Sequence, residues 1–446
     1  MRKPNIILIN CDDLGYGDLG CYGSAANKTP AIDRMAAEGL RFTDFYMASP
    51  VCSPSRGAMM TGCYPPRIEF GAFEGQVVLF PGQGIGLNPS EITMARILKD
   101  AGYATLHIGK WHCGDQEAFM PLRHGFDEYY GLPYSNDMGR QANSLGFPPL
   151  PLIENDEVIE QQPDQASLTE RYCERSVRFI RSHKNSTFFL YLAHMHVHVP
   201  HYPPERFRKQ SYNGDYGAAV ECVDWCTGVI LRELKSLGLE NDTLVVFTSD
   251  NGSRGDRGGS NRPLRGNKAT TYEGGIRVPC VMRWPGHIPS GSVVTDVAWS
   301  MDFYKTFASI AGARVPDDRI IDGGDILATM LDPGVRIPDR PFFYYWMNEL
   351  RAVRYGDYKY DCVGKKLYQL RDDIGETTDV SDSHPDIIKQ MEELLEACRE
   401  DIGDSLAGIA GANIRPAGRV ENPKPLTEYD PDHPYYMAVY DKPDVG

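Results

Sequence analysis

Oxygen-bearing side chains follow two short apolar runs of the sequence, at the point where each run ends. They are Asp12 and Asp13 after residues 5–10, and Asp250 and Asn251 after residues 243–249. Neighbouring carboxylates repel one another unless a cation or deep solvation relieves them, and an all-oxygen ligand set suits Ca²⁺ or Mg²⁺ better than Zn²⁺. Each pair alone is typical of an ordinary turn. Together they predict one site for a hard divalent cation, provided that the two runs are neighbouring strands.

A cysteine stands where a helix is predicted to begin, within residues 50–62. Pro54 is typical of a first helical turn, so Cys52 is predicted to lie at the helix N-terminus, with Arg56 about one turn further on. The free N–H groups and the dipole of a helix favour anionic chemistry at this end. These residues could therefore support a thiolate nucleophile of lowered pKa. The alternative is a small buried cysteine in a helix cap.

A lysine and a histidine follow a third strand-like run, which ends at Gly109. Lys110 and His112 are two residues apart, so in an extended chain their side chains point to the same side. In that position they could bind an anion and transfer protons. The alternative is a solvated lysine beside a loop histidine.

Three more histidines alternate with other residues after the apolar run of residues 187–193. They are His194, His196 and His198. If this stretch is extended, the three imidazoles share one face and could mimic a zinc site. Because carboxylates elsewhere already offer a metal site, we do not interpret the histidines as zinc ligands.

The elements that must position these groups are short apolar runs that alternate with helical patterns. Helices are predicted between residues 29 and 39, from Ser90 to Gly102, and over residues 216–237. This alternation predicts an α/β fold, with a large central, mostly parallel sheet flanked by helices. Ligands of such sheets collect at the carboxyl ends of the strands, so the groups described above are predicted to meet at one edge.

The sequence pattern changes near residue 338. Aromatic-rich runs at residues 342–346, 351–355, 358–360 and 366–370 predict short antiparallel strands, and residues 385–404 predict one amphipathic helix. We therefore predict a main domain of residues 1–337, a smaller α+β subdomain of residues 338–411, and a tail of residues 412–446 rich in Pro, Tyr and Asp. The tail is expected to follow the surface or to be disordered. The alternative is an arm that contacts a neighbouring subunit in a homo-oligomer.

The composition excludes several classes of partner. The 446 residues include 46 Lys and Arg against 61 Asp and Glu, a net charge of −15, which argues against nucleic-acid binding. No run approaches the roughly 18 apolar residues of a membrane span, so no membrane partner is predicted. The 11 scattered cysteines indicate reduced thiols. With no signal peptide visible, the expectation is a cytoplasmic protein, or a periplasmic or secreted one if a signal was removed.

Several segments together resemble the formylglycine-dependent (type I) sulfatases of the alkaline-phosphatase superfamily. The segments are Cys52-Ser53-Pro54-Ser55-Arg56 with Thr61-Gly62, residues 102–112, residues 5–20, Asp250-Asn251-Gly252 and residues 268–275. Residues 355–359 and 367–370 resemble the family's C-terminal subdomain. The resemblance is nearest to the branch of arylsulfatase A and N-acetylgalactosamine-6-sulfatase. It implies a sulfuric ester hydrolase with the alkaline-phosphatase-like fold, whose catalytic domain would be residues 1–337.

The resemblance gives Cys52 a second interpretation. In this family the cysteine is oxidised after translation to formylglycine, whose hydrated aldehyde is the nucleophile. The partner for that step would be a formylglycine-generating enzyme or an anaerobic sulfatase-maturing enzyme. The resemblance also implies that one cation, Ca²⁺ with Mg²⁺ as the alternative, would contact residue 52 and be held by Asp12, Asp13, Asp250 and Asn251.

The resemblance further implies a catalytic set, comprising Cys52, Arg56, Lys110, His112, His198 and Lys268. Arg56 and Lys110 would pair with the nucleophile and the sulfate oxygens. His112 would take a proton when sulfate is expelled. His198 and Lys268 would neutralise or protonate the departing alcohol.

Three further residues are predicted to contact the substrate: Ser135, Asp137 and His196. Ser135 and Asp137 belong to residues 131–137, a segment that in the named branch reaches the sulfate and the sugar. Asn136 stands where that branch commonly has a histidine, which argues against a direct transfer of its substrate. The alternative is a loop turn closed by the Ser and Asp side chains. The expected substrate is a sulfated sugar, preferably a 6-O-sulfate removed in exo fashion, or an aryl sulfate.

Two other functions share many of these features. A phosphonate monoester or phosphodiester hydrolase uses the same fold and nucleophile, and the motifs alone do not separate it from a sulfatase. A non-catalytic binder of sulfated glycans is expected to lose the cysteine, the lysine or the metal acids, all of which this chain retains. A third alternative is the branch of the superfamily with two zinc ions. That branch usually has Asp-His where this chain has Asp250-Asn251, which counts against it.

Overall fold

The computed structural model describes residues 3–141, 146–433 and 436–446. Within these residues the strands are β1 Asn5–Cys11, β2 Leu40–Phe42, β3 Phe45–Tyr46, β4 Ile85–Gly86, β5 Ala104–Gly109, β6 Glu128–Gly131, β7 Pro151–Glu154, β8 Glu157–Gln161, β9 Phe188–Ala193, β10 Thr243–Ser249, β11 Cys280–Arg283, β12 Ser292–Val294, β13 Ala298–Trp299, β14 Phe342–Trp346, β15 Glu349–Tyr355, β16 Tyr358–Asp361, β17 Lys366–Gln369, β18 Gly403–Asp404, β19 Ile409–Ala410 and β20 Gly418–Arg419. The helices are α1 Pro30–Ala37, α2 Cys52–Thr61, α3 Met94–Asp100, α4 Gln165–Ser182, α5 Glu205–Arg208, α6 Gly214–Ser236, α7 Glu273–Ile276, α8 Asp302–Ala311, α9 Leu327–Leu331 and α10 Pro385–Asp401.

A ten-stranded mixed sheet forms the centre of the molecule. Its strand order is β12-β2-β11-β10-β1-β9-β5-β6-β7-β8. The central strands from β10 to β6 are parallel, and antiparallel pairs join them on both sides. This arrangement confirms the predicted fold class. The three apolar runs predicted at residues 5–10, 187–193 and 243–249 are β1, β9 and β10, which are neighbours in the sheet.

The central strands are covered on both faces, which explains their unbroken apolar character. Every residue of β1, β9 and β10 is buried. Ile6 and Leu8 of β1 face a core that includes side chains of α2, α3 and α8. Ile7 and Ile9 face the opposite core, which includes side chains of α1, α4 and α6. Because helices cover both faces of the central sheet, only the sheet edges and the strand ends are available for ligands.

Two helix ends differ from the predictions, and local contacts explain both. Thr93, not Ser90, caps α3, because the Thr93 hydroxyl accepts a hydrogen bond from the Arg96 N–H at 3.2 Å. The C-terminal helix α10 ends at Asp401, not at residue 404. Gly403, with φ of 98°, turns the chain there into the β18–β19 pair.

The C-terminal strands β14, β15, β16 and β17 form an antiparallel sheet in sequential order, as the aromatic runs predicted. One face packs on α10, where Tyr345 and Leu350 meet Met391 and Leu395. The other face lies against the loop that follows β10. Residues of the tail run back along the main part of the molecule, with β20 paired to β4 and the Tyr440 ring buried. The tail therefore follows the surface; a role in a homo-oligomer stays a prediction.

No helix among the described residues is both long enough and apolar enough to cross a lipid bilayer.

A buried ionic cluster joins the C-terminal sheet to the loop after β10. Glu273 accepts hydrogen bonds from the hydroxyls of Tyr46 and Tyr344 at 2.5 and 2.7 Å, and its carboxylate lies 3.2 Å from Lys359 Nζ. Lys359 Nζ also lies 2.7 Å from the carboxylate of Glu376. Burial alone would raise the pKa of Glu273, but the positive charge of Lys359 holds it at about 2. Glu273 is therefore ionised at neutral pH, and the cluster fixes the loop against the sheet.

Replacing Glu273 with alanine is expected to destabilise the fold by about 3–5 kcal/mol, because Lys359 would lose a buried counter-charge. Urea denaturation followed by tryptophan fluorescence measures this free energy of unfolding. The matched control is Glu174→Ala, which removes an exposed pair with Arg178 and should change the free energy by less than about 1 kcal/mol. Equal effects of the two substitutions would contradict the role given to Glu273.

Candidate active site

The carboxyl ends of β1 and β10 place three acids side by side. The two strands pair in parallel with Cys11 opposite Ser249, so the residues that follow, Asp12 and Asp250, leave the sheet together. The Asp250 N–H donates to the Cys11 carbonyl at 3.0 Å, and the Asp13 N–H donates to Asp250 Oδ1 at 3.2 Å. Asp13 adopts a φ of 62°, a left-handed conformation that is uncommon outside glycine and recurs at functional sites.

Three buried cations face these acids. Lys110 Nζ lies 2.5 Å from Asp12 Oδ2, Lys268 Nζ lies 3.0 Å from Asp13 Oδ2, and the Arg56 guanidinium lies 2.8 Å from Asp250 Oδ2. Burial opposes the charge of Asp12, but Lys110 together with His198 and Arg56 holds the pKa of Asp12 well below its usual value. Burial likewise opposes the charge of Lys268, but Asp13 raises its pKa above the usual value. Asp12 and Lys268 are therefore charged at neutral pH.

Cys52 is the first residue of α2, and its thiol faces the acids. Cys52 Sγ lies 3.4 Å from Asp12 Oδ1, and the side chain is 1% exposed. The Ser55 hydroxyl donates to the Asp250 carbonyl at 2.5 Å and so fixes this end of α2 against β10. One ligand atom from each of four residues lies within 4.8 Å of the others; the residues are Asp12, Asp13, Cys52 and His198. The structure thus brings residue 52 to two of the predicted metal acids, Asp12 and Asp13.

The surroundings of Cys52 do not favour a thiolate. Burial, together with the Asp12 carboxylate, raises the pKa of the thiol well above its usual value. The raised pKa argues against the interpretation of Cys52 as a thiolate nucleophile and is consistent with the alternative of a buried cysteine at the helix cap. Desolvation and a neighbouring negative charge outweigh the effect of the helix N-terminus.

The acids and Asn251 have the chemistry of a site for a hard cation. Asn251 Nδ2 donates to Asp13 Oδ1 at 2.7 Å, while Asn251 Oδ1 is buried without a hydrogen-bond partner among the described residues. Burial and the charge of Asp12 raise the pKa of Asp250 to about 6, so this carboxylate is not fully compensated by the cations around it. A divalent cation would satisfy the amide oxygen and relieve the crowded carboxylates. The donor set therefore fits Ca²⁺ or Mg²⁺.

Two of the histidines line a cavity above the acids. His112 Nε2 lies 3.0 Å from the Leu79 carbonyl, which orients the ring. His198 Nε2 lies 3.8 Å from Asp13 Oδ2. Burial, assisted by the charge of Lys110, lowers the pKa of His112, and burial with Lys268 lowers that of His198. Both rings are therefore predominantly neutral at pH 7 and able to accept a proton.

The other two histidines lie elsewhere. His196 is buried with Nδ1 2.9 Å from the Thr169 hydroxyl, and it is not among the residues that line the cavity. His194 is buried against the ring of Tyr172. Within the part of the chain that the structure describes, neither ring belongs to a metal-like cluster, so the three imidazoles do not form a zinc site.

The cavity has a volume of about 520 Å³ and opens above Cys52. Ser135 lines it, and Lys110 Nζ donates to the Ser135 hydroxyl at 3.2 Å. Asp137 lies beside it, with Oδ1 unpartnered among the described residues. Asn136 points elsewhere, because its amide donates to Gln165 Oε1 at 2.9 Å. Of the loop 135–137, Ser135 is therefore the residue that lines the cavity, while Asp137 is held beside it by the Gly446 N–H.

Sequence reasoning missed the end of the tail, which closes one side of the cavity. The Gly446 N–H donates to Asp137 Oδ2 at 2.9 Å, and Gly446 itself lines the cavity. Asp444 pairs with Arg257 at 2.9 Å, and Arg254 donates to the Val445 carbonyl. The signal that could have revealed this contact is charge complementarity, since an acidic tail meets a basic loop.

Comparison with known proteins identifies the family. Residues 4–313 match the model of the Sulfatase family, and residues 266–401 match a model described as N-sulphoglucosamine sulphohydrolase, C-terminal. The chain therefore belongs to the sulfatase family and is a sulfuric ester hydrolase.

Similar proteins agree with the branch suggested by the sequence motifs. N-acetylgalactosamine-6-sulfatase of Rattus norvegicus is 42% identical over 381 residues, covering 80% of this chain and 71% of that protein. Arylsulfatase A of Homo sapiens is 40% identical over 384 residues, covering 80% of this chain and 74% of that protein. The crystal structure of Ps i-CgsB in complex with k-i-k-neocarrahexaose matches with a TM-score of 0.81 at 31% identity, covering 89% of this chain and 92% of that chain.

Unconverted Cys52 is expected to resist alkylation in the native protein, because its thiol is buried and its raised pKa suppresses the reactive thiolate. Iodoacetamide at pH 8 should modify it more than about tenfold more slowly than in the chain unfolded by guanidinium, since one pKa unit alone is tenfold in thiolate. Mass spectrometry of the peptide of residues 48–67 measures this rate. Equally fast native alkylation would show that the thiol is accessible and contradict the site geometry.

Proposed function

We propose that this sulfatase removes sulfate from a carbohydrate sulfate ester, using formylglycine formed from Cys52 and one divalent cation. The cation is Ca²⁺, with Mg²⁺ as the alternative, and its ligands are Asp12, Asp13, Asp250, Asn251 and residue 52. The observation that carries the proposal is the position of residue 52. Its Sγ lies 3.4 Å from Asp12 Oδ1, and Asp12 belongs to a buried group of three acids that are paired with three cations.

Formylglycine at position 52 would supply a nucleophile for sulfur, and a cation held by Asp12, Asp13, Asp250 and Asn251 would polarise the sulfate ester. The side chains of this protein bind and orient the ester around them. Lys110 and Arg56 place two fixed positive charges beside residue 52, where charge develops on the sulfate oxygens. Because both cations are buried and held by carboxylates, they need no reorganisation during the reaction.

Proton transfer falls to the two histidines that line the cavity. His198 lies near Asp13 and Lys268, which suits these groups to meet the departing alcohol oxygen. His112 is held by the Leu79 carbonyl through Nε2, while its Nδ1 has no hydrogen-bond partner among the described residues. The His112 ring can therefore accept a proton at Nδ1 when sulfate is released.

The cavity supports an exo-acting enzyme on a 6-O-sulfated sugar. Ser135 beside Lys110 offers a hydroxyl to the sulfate, and Asp137, bonded to the Gly446 N–H beside the cavity, is the proposed acceptor for a sugar hydroxyl. A volume of about 520 Å³, closed on one side by Gly446, suits one terminal sugar ring. The similarity to a protein named N-acetylgalactosamine-6-sulfatase supports the same class of substrate. His196 is left out of the substrate contacts here because its ring is buried away from the cavity and bonded to the Thr169 hydroxyl.

The direct test is expression with a formylglycine-generating or an anaerobic sulfatase-maturing enzyme. Peptide mass spectrometry of residues 48–67 should show conversion of Cys52, and sulfate release should follow from 6-sulfated hexosamines and from aryl sulfates. Phosphonate monoesters and phosphodiesters are assayed in parallel. Faster turnover of those esters, or undiminished turnover by a chain with an intact thiol, would overturn the proposal.

Arg56→Ala and Lys110→Ala are each expected to lower kcat for aryl sulfate by about 10²–10³, the scale of losing one preorganised charge-stabilising donor. Cys52→Ala should abolish turnover. The matched control is Arg178→Ala, an exposed arginine that should leave kcat unchanged. Circular dichroism of each variant separates a loss of chemistry from a loss of fold. Folded variants with near-normal kcat would refute the roles of these two cations.

Calcium is expected to raise the melting temperature of the chelator-treated protein and to restore its activity, because a ligand of the native state alone stabilises that state. Asn251→Ala should weaken this stabilisation, since it removes the unpartnered amide oxygen. Differential scanning fluorimetry over a calcium titration measures the shift. Identical calcium titrations of the wild type and the variant would argue against Asn251 as a ligand.

A further inference from the structure

A second cleft lies beside the active-site cavity, between the loop after β10 and the C-terminal sheet. Its volume is about 390 Å³. Ala269 and Thr270 line both the cleft and the cavity that contains Cys52. A molecule that fills the cavity therefore has the second cleft as its immediate neighbour across these two residues.

One face of the C-terminal sheet is buried in one part and open in another. The alternation of side chains along its strands identifies the residues on this face. Tyr344 and Lys359 point to this face and belong to the buried cluster around Glu273. Trp346 lies two residues further along the same strand and Asp361 two residues beyond Lys359, so both lie on this face as well. Beyond the cluster the face opens, and Trp346 and Asp361 line the cleft, both partly exposed.

A β-bulge adds an arginine to this surface. Tyr344 pairs with Ala352 and Tyr345 pairs with Leu350, which leaves Arg351 as the extra residue on β15. Consecutive residues of a regular strand face opposite sides, yet Arg351 and Ala352 both line the cleft. The bulge thus turns the arginine towards the space between the sheet and the loop.

The polar groups of the cleft are nearly balanced in charge. The Arg351 guanidinium pairs with the carboxylate of Glu349, and its Nε is buried without a hydrogen-bond partner among the described residues. Asp361 Oδ1 accepts hydrogen bonds from the N–H groups of Val363 and Gly364. An aromatic surface flanked by a neutralised arginine and a carboxylate suits a ring that is apolar on its face and carries hydroxyls at its rim. Because Arg351 is paired with Glu349 and Lys359 with Glu376, these two lining cations are already neutralised and give a second anionic group no free counter-charge.

We propose that this cleft binds the sugar next to the sulfated one, as a neutral hexopyranose ring stacked on Trp346, with its hydroxyls bonded by Arg351 and Asp361. The inference rests on the proposed function and extends it: the substrate is a sulfated oligosaccharide whose second ring is uncharged. The cavity holds the terminal sulfated sugar, and the chain continues over Ala269 and Thr270 into the cleft.

Kinetics on matched substrates test the subsite. The substrates are N-acetylgalactosamine 6-sulfate alone, the same sugar linked to glucose, and the same sugar linked to glucuronate. Trp346→Ala should raise KM about tenfold for the glucose-linked disaccharide, with kcat unchanged and the monosaccharide kinetics unaffected. Arg351→Met should also raise KM for the glucose-linked disaccharide. Tyr212→Ala, which removes an exposed aromatic side chain elsewhere, is the control.

Several outcomes would overturn the subsite. Equal changes in KM for the monosaccharide and the disaccharide would show that Trp346 acts on the fold or on the cavity. A lower KM for the glucuronate-linked than for the glucose-linked substrate in the wild type would show that the cleft prefers an anion.

A binding measurement keeps the subsite separate from the proposed function. Saturation-transfer NMR with unsulfated lactose should detect contact with the wild type and a loss of contact in Trp346→Ala, whether or not the preparation turns over sulfate esters. Binding that the substitution does not change would refute the subsite. If lactose binds at Trp346 but no sulfated sugar is hydrolysed, the proposed function fails and the neutral-sugar site stands.

Discussion

The site depends on one electrostatic constraint: three carboxylates and three cations are buried together at the carboxyl edge of the central sheet. Asp12, Asp13 and Asp250 each meet a buried positive group within about 3 Å, and no member of the set could be buried alone without a large desolvation cost. The acids come from β1 and β10, while the cations come from α2, the segment after β5, and the loop after β10. The charge balance therefore requires that all five elements be in place together.

The loop after β10 carries that constraint to the rest of the molecule. Lys268, near the middle of this loop, neutralises Asp13, and five residues later Glu273 sits in the buried cluster with Tyr344 and Lys359. The position of an active-site lysine is thus tied to the C-terminal sheet. The same loop forms the wall between the cavity and the cleft beside Trp346. The small sheet is therefore a structural support of the site as well as a wall of the neighbouring cleft.

Sequence patterns predicted the local features well and the long-range ones poorly. The strands β1, β9 and β10 were predicted because burial on both faces makes them uniformly apolar, and the acids that end β1 and β10 follow from their position. The histidine alternation failed because the chain after β9 is not extended: the His198 N–H donates to the Met195 carbonyl and turns it. The return of residues 441–446 to Asp137 depends on contacts between segments about 300 residues apart, which no local pattern contains.

The burial of Cys52 sets an order of events during biosynthesis. An oxidising enzyme cannot reach a side chain that is 1% exposed, so the proposed conversion has to occur while the segment is still a flexible nascent chain. The residues that enclose Cys52 include Asp250 and Lys268, which are translated about 200 residues later, roughly 10–40 s at ordinary rates of elongation. That interval would be the time window for the proposed conversion. A host with too little of the modifying enzyme would accumulate correctly folded but permanently inactive molecules, which no later supply of the enzyme could rescue without unfolding them.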